Sequence, residues 1–535
     1  MRNKERSKER TLRSLRSRAR FGASAAFTAC AACVAGGALS CSPASPASAA
    51  SQAQARVALA APAAAPSLVT TGGAGAAAAG AALSYEVSVD AALDLQVSAT
   101  FRGPIEGPLV VDPEATSFVS AVEVQEAQGW RKTELTDAKW AAVCATTCTV
   151  RYRFRLREAA KSVADLDTAI LAGGALFAPP STWLVRPRAR GAGEARGGNA
   201  APASYRFHVT TPAGIRFATG IRAVTDPGAA PGTYEAPIAS FDEAAFAAFG
   251  ALRVGHLADP GIERALAPDL PLADDVVTRW LKSEVDAVTS YFAHAPDGYA
   301  MIFVAPGTAD ETGGKTLGGG GASLVVRLGK NVKAADLKDD WVVAHELIHV
   351  TFPDLDRRYT WFSEGLATYV EPIARERAGL VKREKVWSDM LEGFPQGLPD
   401  ASRPDEGGLN GTREWGRTYW GGALYFFLAD VRIREKTGGK KGLEDALRAV
   451  VATGGNVENM WPIERVLDVG DAATGTRALH ELYDELGRAR GNVDLDAVLK
   501  RLGVRRDAAR GTVTFDDAAP LASVRDAILP KAPKR

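Results

Sequence analysis

Two histidines set four apart around a glutamate, His345, Glu346 and His349 in the run WVVAHELIHV, are the residues of this chain whose types and spacing can do chemistry. On a helix, positions i and i+4 stack on one face about one turn apart, so both imidazoles can reach a single ion while the glutamate points beside it. Zinc suits such donors. It lowers the pKa of a water to about 7 and polarises a carbonyl, and a neighbouring carboxylate can take the water's proton and pass it to a leaving amine. One Zn2+ ion and Glu346 as general base are therefore expected. The competing reading is a chance match on a core helix. Val343, Leu347 and Val350 form one helical stripe and Trp341, Ala344 and Ile348 the next, so the helix is apolar nearly all round and belongs in the interior. Buried imidazoles need a polar partner, and a metal supplies one.

A catalytic zinc takes three protein ligands and keeps one position open. Glu364 is the candidate for the third. It opens the segment WFSEGLATYVE, in which Trp361, Leu366, Tyr369 and Val370 can pack inward and Ser363 precedes the glutamate as a cap. Fourteen residues separate His349 from Glu364 and include Pro353, enough for a loop that folds the second segment back on the first. Asp354 and Asp356 in that loop are the competing carboxylates; their other reading is turn formation.

HELIH followed by WFSEGLATYV resembles the gluzincin zinc peptidases, and residues 418–448, TYWGGALYFFLADVRIREKTGGKKGLEDALR, resemble the glycyl-aminopeptidase branch. The resemblance implies a thermolysin-like, mainly helical catalytic domain acting on a peptide or protein substrate. It puts zinc on His345, His349 and Glu364, makes Glu346 the general base, and makes Tyr419 the phenol that stabilises the tetrahedral oxyanion. A preorganised donor of that kind typically contributes a few kcal/mol to a transition state. Tyr419 can also be read with Trp415, Trp420, Tyr425 and Phe426 as an aromatic core stripe. The lysine of the family's motif is Gly421 here.

Upstream, TLGGGGASLVVRLG reads as a glycine turn at 318–321 followed by a strand, Ala322 to Leu328. The resemblance implies that this strand lies at a sheet edge and pairs with extended substrate, which makes Gly320, Gly321, Ala322 and Ser323 the substrate-binding candidates. The family places a glutamate after its glycines to hold a free amino terminus; the corresponding positions are Ala322 and Ser323. An exopeptidase needs a negative group there, so internal cleavage is expected beside or instead of amino-terminal trimming. The alternative function is a catalytically weak, peptidase-like binding protein of the cell envelope.

The chain is 46% hydrophobic and 24% charged, which excludes a disordered or fibrous protein. Residues 1–20 hold nine Lys and Arg against two Glu, a charge of +7, so the formal total of +1 leaves −6 elsewhere and no basic footprint for nucleic acid. The basic start and the small apolar run at 21–40 have signal-peptide architecture, with Ala47-Ser48-Ala49 as a cleavage site. ALSC, ending at Cys41, resembles a lipobox. Soluble export and a lipid on Cys41 both remain open; a retained membrane span is the competing reading. Either export route leads to the periplasm, an outer-membrane lipoprotein or the extracellular space, with membrane contact only through an N-terminal lipid. In an exported chain Cys144 and Cys148, at a turn before a strand, are expected to form a disulfide.

The fold class expected is α+β and multidomain: an N-terminal all-β, sandwich-like domain followed by the helical catalytic domain. Residues 1–49 are the signal, 50–80 an Ala/Gly/Pro-rich linker, 81–248 the β-domain with its short alternating runs, 249–505 the catalytic domain and 506–535 a tail. His208, His256, His294 and His480 lack ligand-spaced neighbours and read as structural.

Overall fold

The alternation LSYEVSV buries every second residue of its strand, Leu83–Val89, and this period organises the first half of the chain. The computed structural model describes residues 82–530 except 104, 145, 189–203, 296–298, 400–406 and 508–511. The expected signal with Cys41 and the 50–80 linker lie outside the described residues. Leu83–Val89 pairs antiparallel with Leu95–Arg102, Tyr85 opposite Ala99, and parallel with Ser204–Thr210. A seven-stranded sheet results, in the order Thr233–Pro237, Ser204–Thr210, Leu83–Val89, Leu95–Arg102, Thr147–Phe154, Val119–Glu126, Gly129–Lys132.

Two four-stranded sheets share its core. Tyr85, Phe101, Phe154 and Phe207 of the large sheet cluster with Leu109 and Trp140 of one small sheet and with Leu176 and Phe249 of the other. Trp183 meets Phe207 and Phe249 edge-on, at 5.8 and 5.7 Å between ring centres. Cys144 and Cys148 are joined by a disulfide. It ties strand Lys139–Cys144 of a small sheet to strand Thr147–Phe154 of the large one.

A five-stranded sheet begins the second half. Its order is Arg253–Ala258, Ile262–Leu266, Ala300–Pro306, Ala322–Leu328, Gly313–Leu317, with the three inner strands parallel and both outer ones antiparallel. The inner run AMIFVA is buried on both faces, as parallel strands covered by helices must be. Helix Asp274–Phe292 supplies the crossover, and the expected strand Ala322–Leu328 forms. It is not the edge of the sheet, however; that place belongs to Gly313–Leu317, whose glycines hid it from a reading by β-propensity. Helices then follow to residue 502. No described helix is long and apolar enough to cross a membrane.

The segment expected as a tail is folded in part. Val504–Asp507 and Thr512–Phe515 pair as a hairpin and Ala522–Ile528 is helical, with Arg525 fully buried against Asp517 and Asp526. A guanidinium that forms ion pairs with two carboxylates can stay charged inside, and this is how a charged sequence becomes interior structure.

Three ionisable side chains join the crossover helix to the helix that carries Glu364, Thr360–Arg377. Arg375 lies 3.0 Å from Glu284 and 3.0 Å from Glu371, and all three are buried. One guanidinium cannot neutralise two carboxylates. Burial accordingly pushes the Glu284 carboxyl up to about 8, against the pull of Arg375. The folded protein holds this proton up to that pH, while the unfolded chain releases it near 4.5. The group therefore weighs nothing against the fold below pH 4.5, and stability declines as pH rises from there to about 8. Glu284→Gln should lack this component. Its melting temperature, compared with that of the parent across the interval, should fall less with rising pH; two parallel curves would show that Glu284 is ionised throughout.

Candidate metal centre

Helix Val342–Thr351 forms as its apolar stripes require, with Asp340 Oδ1 accepting the Val342 N–H at its start, 3.0 Å. Val343, Leu347, Ile348 and Val350 are buried in the second core. His345 and His349 project from the same face with ring centres 5.0 Å apart. The chain leaves the helix at Phe352, and Asp354–Leu355 pairs with Met460–Trp461. Asp354 Oδ1 accepts the Leu355 N–H and Asp356 Oδ1 the Arg358 N–H. Both aspartates thus shape the turn. The next helix starts at Thr360, so Ser363 lies within its first turn instead of capping it.

Glu364 is the carboxylate that this loop returns to the histidines. Its Oε2 is 3.2 Å from His345 Nε2 and 3.5 Å from His349 Nε2. A tetrahedral ion bound at about 2.0–2.1 Å would hold its donors about 3.3 Å apart, so the spacing and the two-nitrogen, one-oxygen donor set both fit zinc. Among the described residues these three form the one group of His, Cys, Asp and Glu close enough to share an ion, with all ligand atoms within 4.8 Å of one another. The electrostatics also call for a cation. Burial disfavours a charged His349 ring, but Glu364, and after it Glu346 and Asp354, outweigh this and push its pKa up to about 9. Burial works against the Glu364 carboxylate too, yet His349 and hydrogen bonds to both rings hold its pKa well below the usual range.

Tyr419 reaches the centre from the far side. It lies in a π-helical turn, Arg417–Gly421, and wider turns of this kind often occur at functional sites. Its ring lies nearly parallel to that of His345, 6.3 Å away, and Trp415 stacks on it at 5.3 Å. Burial, and after it the charges of Glu364 and Glu346, raise its pKa well above 10 and keep the phenol a donor. Two glycines permit this approach. A Cβ on Gly365 would fall 2.3 Å from Gly422, and one on Gly422 would fall 2.1 Å from the Trp361 carbonyl oxygen. The two segments therefore cross backbone to backbone, which brings the residue beside Gly365 to the phenol. Gly421, where the resemblance expects lysine, is packed against Leu409 and Gly397.

The structure does not give the glycine run at 318–321 the expected place. Gly319 N donates to Glu243 O, Gly321 bridges to Ile221, and a Cβ on Gly320 would strike Ala236 at 2.2 Å. Gly320 and Gly321 have φ of +76° and +156°, so the run needs glycine to dock on the β-rich half. Ala322 is buried, and Ser323 is fully buried; its hydroxyl accepts the Phe246 N–H at 2.8 Å and donates to Leu317 O at 3.2 Å. Neither is placed to meet a substrate. The strand beside the centre is Gly313–Leu317, where Gly314 lies against Glu346 and the Thr316 hydroxyl donates to it. The sequence did hold a signal for this strand: four glycines between GGKTL and ASLVV are as well suited to the bend of a hairpin as to an isolated turn.

No protein-family model matches the chain, and no curated protein matches it. Solved structures do. An aminopeptidase N family protein from Idiomarina loihiensis is similar over 79% of this chain and 78% of its own, with TM-score 0.59 and 14% identity. An M1 zinc metallopeptidase from Deinococcus radiodurans covers 77% of this chain and 93% of its own at 17% identity and TM-score 0.43; yeast LTA4 hydrolase covers 77% and 68% at 12% and 0.46. The chain has the fold of the first of these, and that fold is α+β and multidomain, as expected.

Ligand and base duties can be separated by metal analysis after dialysis against a weak chelator. Glu346→Gln should retain one zinc per chain, while His345→Ala and Glu364→Ala should each lose it. Stoichiometric zinc in Glu364→Ala would move the third ligand to another carboxylate, Asp354 first.

Proposed function

We propose that the protein is a zinc-dependent peptidase that cuts within peptide chains. The observation that carries this reading is the convergence of three donors, a buried glutamate and a partly buried phenol from three chain segments. His345, His349 and Glu364 would hold the ion, which when bound supplies Lewis acidity to a water and to the scissile carbonyl. Glu346 takes the proton of the attacking water and delivers it to the leaving amine. Tyr419 donates its O–H to the oxygen on which negative charge develops.

Support for internal cleavage comes from the edge strand. Gly314 and Thr316, which face Glu346, carry no charge, and the Thr316 hydroxyl is engaged by Glu346. Glu371, a carboxylate on the helix that carries Glu364, is buried against Arg375. An ammonium brought into such a site without a carboxylate loses several kcal/mol of solvation.

Purified protein, analysed for metal, should be given an acetylated peptide and its free twin, with products read by mass spectrometry. Both should be cut internally at similar rates. Glu346→Gln should lower kcat by roughly 10²–10⁴ and Tyr419→Phe by roughly 10²–10³. A strict requirement for the free amine would contradict internal cleavage, and full activity of Glu346→Gln would remove the proposed base.

We further propose that the enzyme acts outside the cytoplasm. The signal-like start and the Cys144–Cys148 disulfide support this. Intact mass of native protein should place the mature terminus at a lipidated Cys41 or near Ala50, with both mature-region cysteines oxidised; an unprocessed start with two free thiols would contradict export.

A further inference from the structure

Two residues of the edge strand Gly313–Leu317 act on one side chain. Thr316 Oγ1 lies 2.8 Å from Glu346 Oε2 and 3.1 Å from the Glu346 carbonyl oxygen. A Cβ on Gly314, two residues earlier and on the same side, would fall 2.6 Å from Glu346 Cγ and 3.0 Å from Oε1. The Glu346 side chain therefore lies along the strand, with room made by Gly314 and one oxygen held by Thr316. A hydroxyl has a single proton to give, and the shorter of its two contacts is to the carboxylate, the stronger acceptor.

The strand itself is anchored. Lys315, between these two residues, turns to the opposite side and forms an ion pair with Asp167 of the β-rich half, while Val325, its register partner, is fully buried. The hydroxyl is thus held on a fixed support. A glutamate has several rotatable bonds, and a proton acceptor must be fixed within a fraction of an ångström for full effect.

Resting on the peptidase reading above, we propose that Thr316 is a positioning residue, whose hydroxyl holds Oε2 of Glu346 so that Oε1 is left to accept the proton of the attacking water. Thr316 is not one of the three donors and, on this reading, does not touch the reacting atoms; it acts through Glu346. A merely structural role, as a β-branched strand residue that also covers a helix carbonyl, would be filled equally well by valine.

The test compares the full-length protein with Thr316→Val, which keeps the shape and loses the donor, and Thr316→Ser, which keeps the donor. Three readouts are taken: zinc content, kcat and KM on the acetylated peptide, and crystal structures of the metal-free proteins. Thr316→Val should keep one zinc and a KM within about twofold of the parent, while kcat falls roughly ten- to a hundredfold. Thr316→Ser should recover most of that loss. In metal-free Thr316→Val the Glu346 side chain should leave the strand, and in metal-free Thr316→Ser it should stay. An unchanged kcat in Thr316→Val, or a Glu346 that does not move, would overturn the proposal. If the parent protein cuts no peptide, the peptidase reading fails, and the position of Glu346 in the metal-free crystals still decides whether Thr316 holds it.

Discussion

The carboxylate of Glu364 lies within 3.5 Å of two imidazole nitrogens, beside the partly buried phenol of Tyr419. An anion in such surroundings loses several kcal/mol of solvation and stays ionised only with a cation against it. The rest of the site is arranged around that requirement. The HELIH helix delivers two nitrogens on one face, the loop through Asp354 and Asp356 returns the chain, and the Gly365–Gly422 contact lets the phenol-bearing segment approach. Each device alone is ordinary. Together they gather three donors that would hold a doubly charged ion, with a second carboxylate, Glu346, on the same helix as the two histidines.

The β-rich half takes part in this arrangement. Its Asp167 holds Lys315 of the edge strand, its Glu243 and Ile221 take up the glycine run, its Phe246 N–H binds Ser323, and Phe177 packs edge-on against Phe303 of the inner sheet at 5.9 Å. Lys315 and Ser323 lie on the two strands, Gly313–Leu317 and Ala322–Leu328, that pack against the HELIH helix. The depth of the glycine run in this interface explains its composition: backbone meets backbone there, and side chains would keep the two halves apart.

Much of the site was legible in the sequence because it is local. HELIH carries its own spacing, the apolar stripes on both sides define its helix, and WFSEG stands a loop's length downstream. Helix Asp274–Phe292 and strands Ala300–Pro306 and Ala322–Leu328 follow from periodicity in the same way. What escaped depends on pairing between distant residues. Which strand forms the edge of the second sheet is set by the order 253, 262, 300, 322, 313 and not by any property of GGKTL itself. Ser323 was a substrate candidate because the resemblance put its strand at the sheet edge, whereas its hydroxyl is used to join two halves of the molecule. The π-helical turn at Tyr419 and the ordered segment beyond residue 504 likewise depend on tertiary contacts: the close packing of Gly421 on Gly397 in one case, the buried ion pairs of Arg525 in the other.

The central claim is that one ion sits between His345, His349 and Glu364, and anomalous diffraction at the zinc absorption edge addresses it most directly. Crystals grown with one equivalent of zinc should show a single strong anomalous peak at about 2.0–2.2 Å from Nε2 of both histidines and from a Glu364 oxygen, with the signal lost on the low-energy side of the edge. A peak lying instead between His349 and Asp354, or full occupancy at a place that includes neither histidine, would contradict the account.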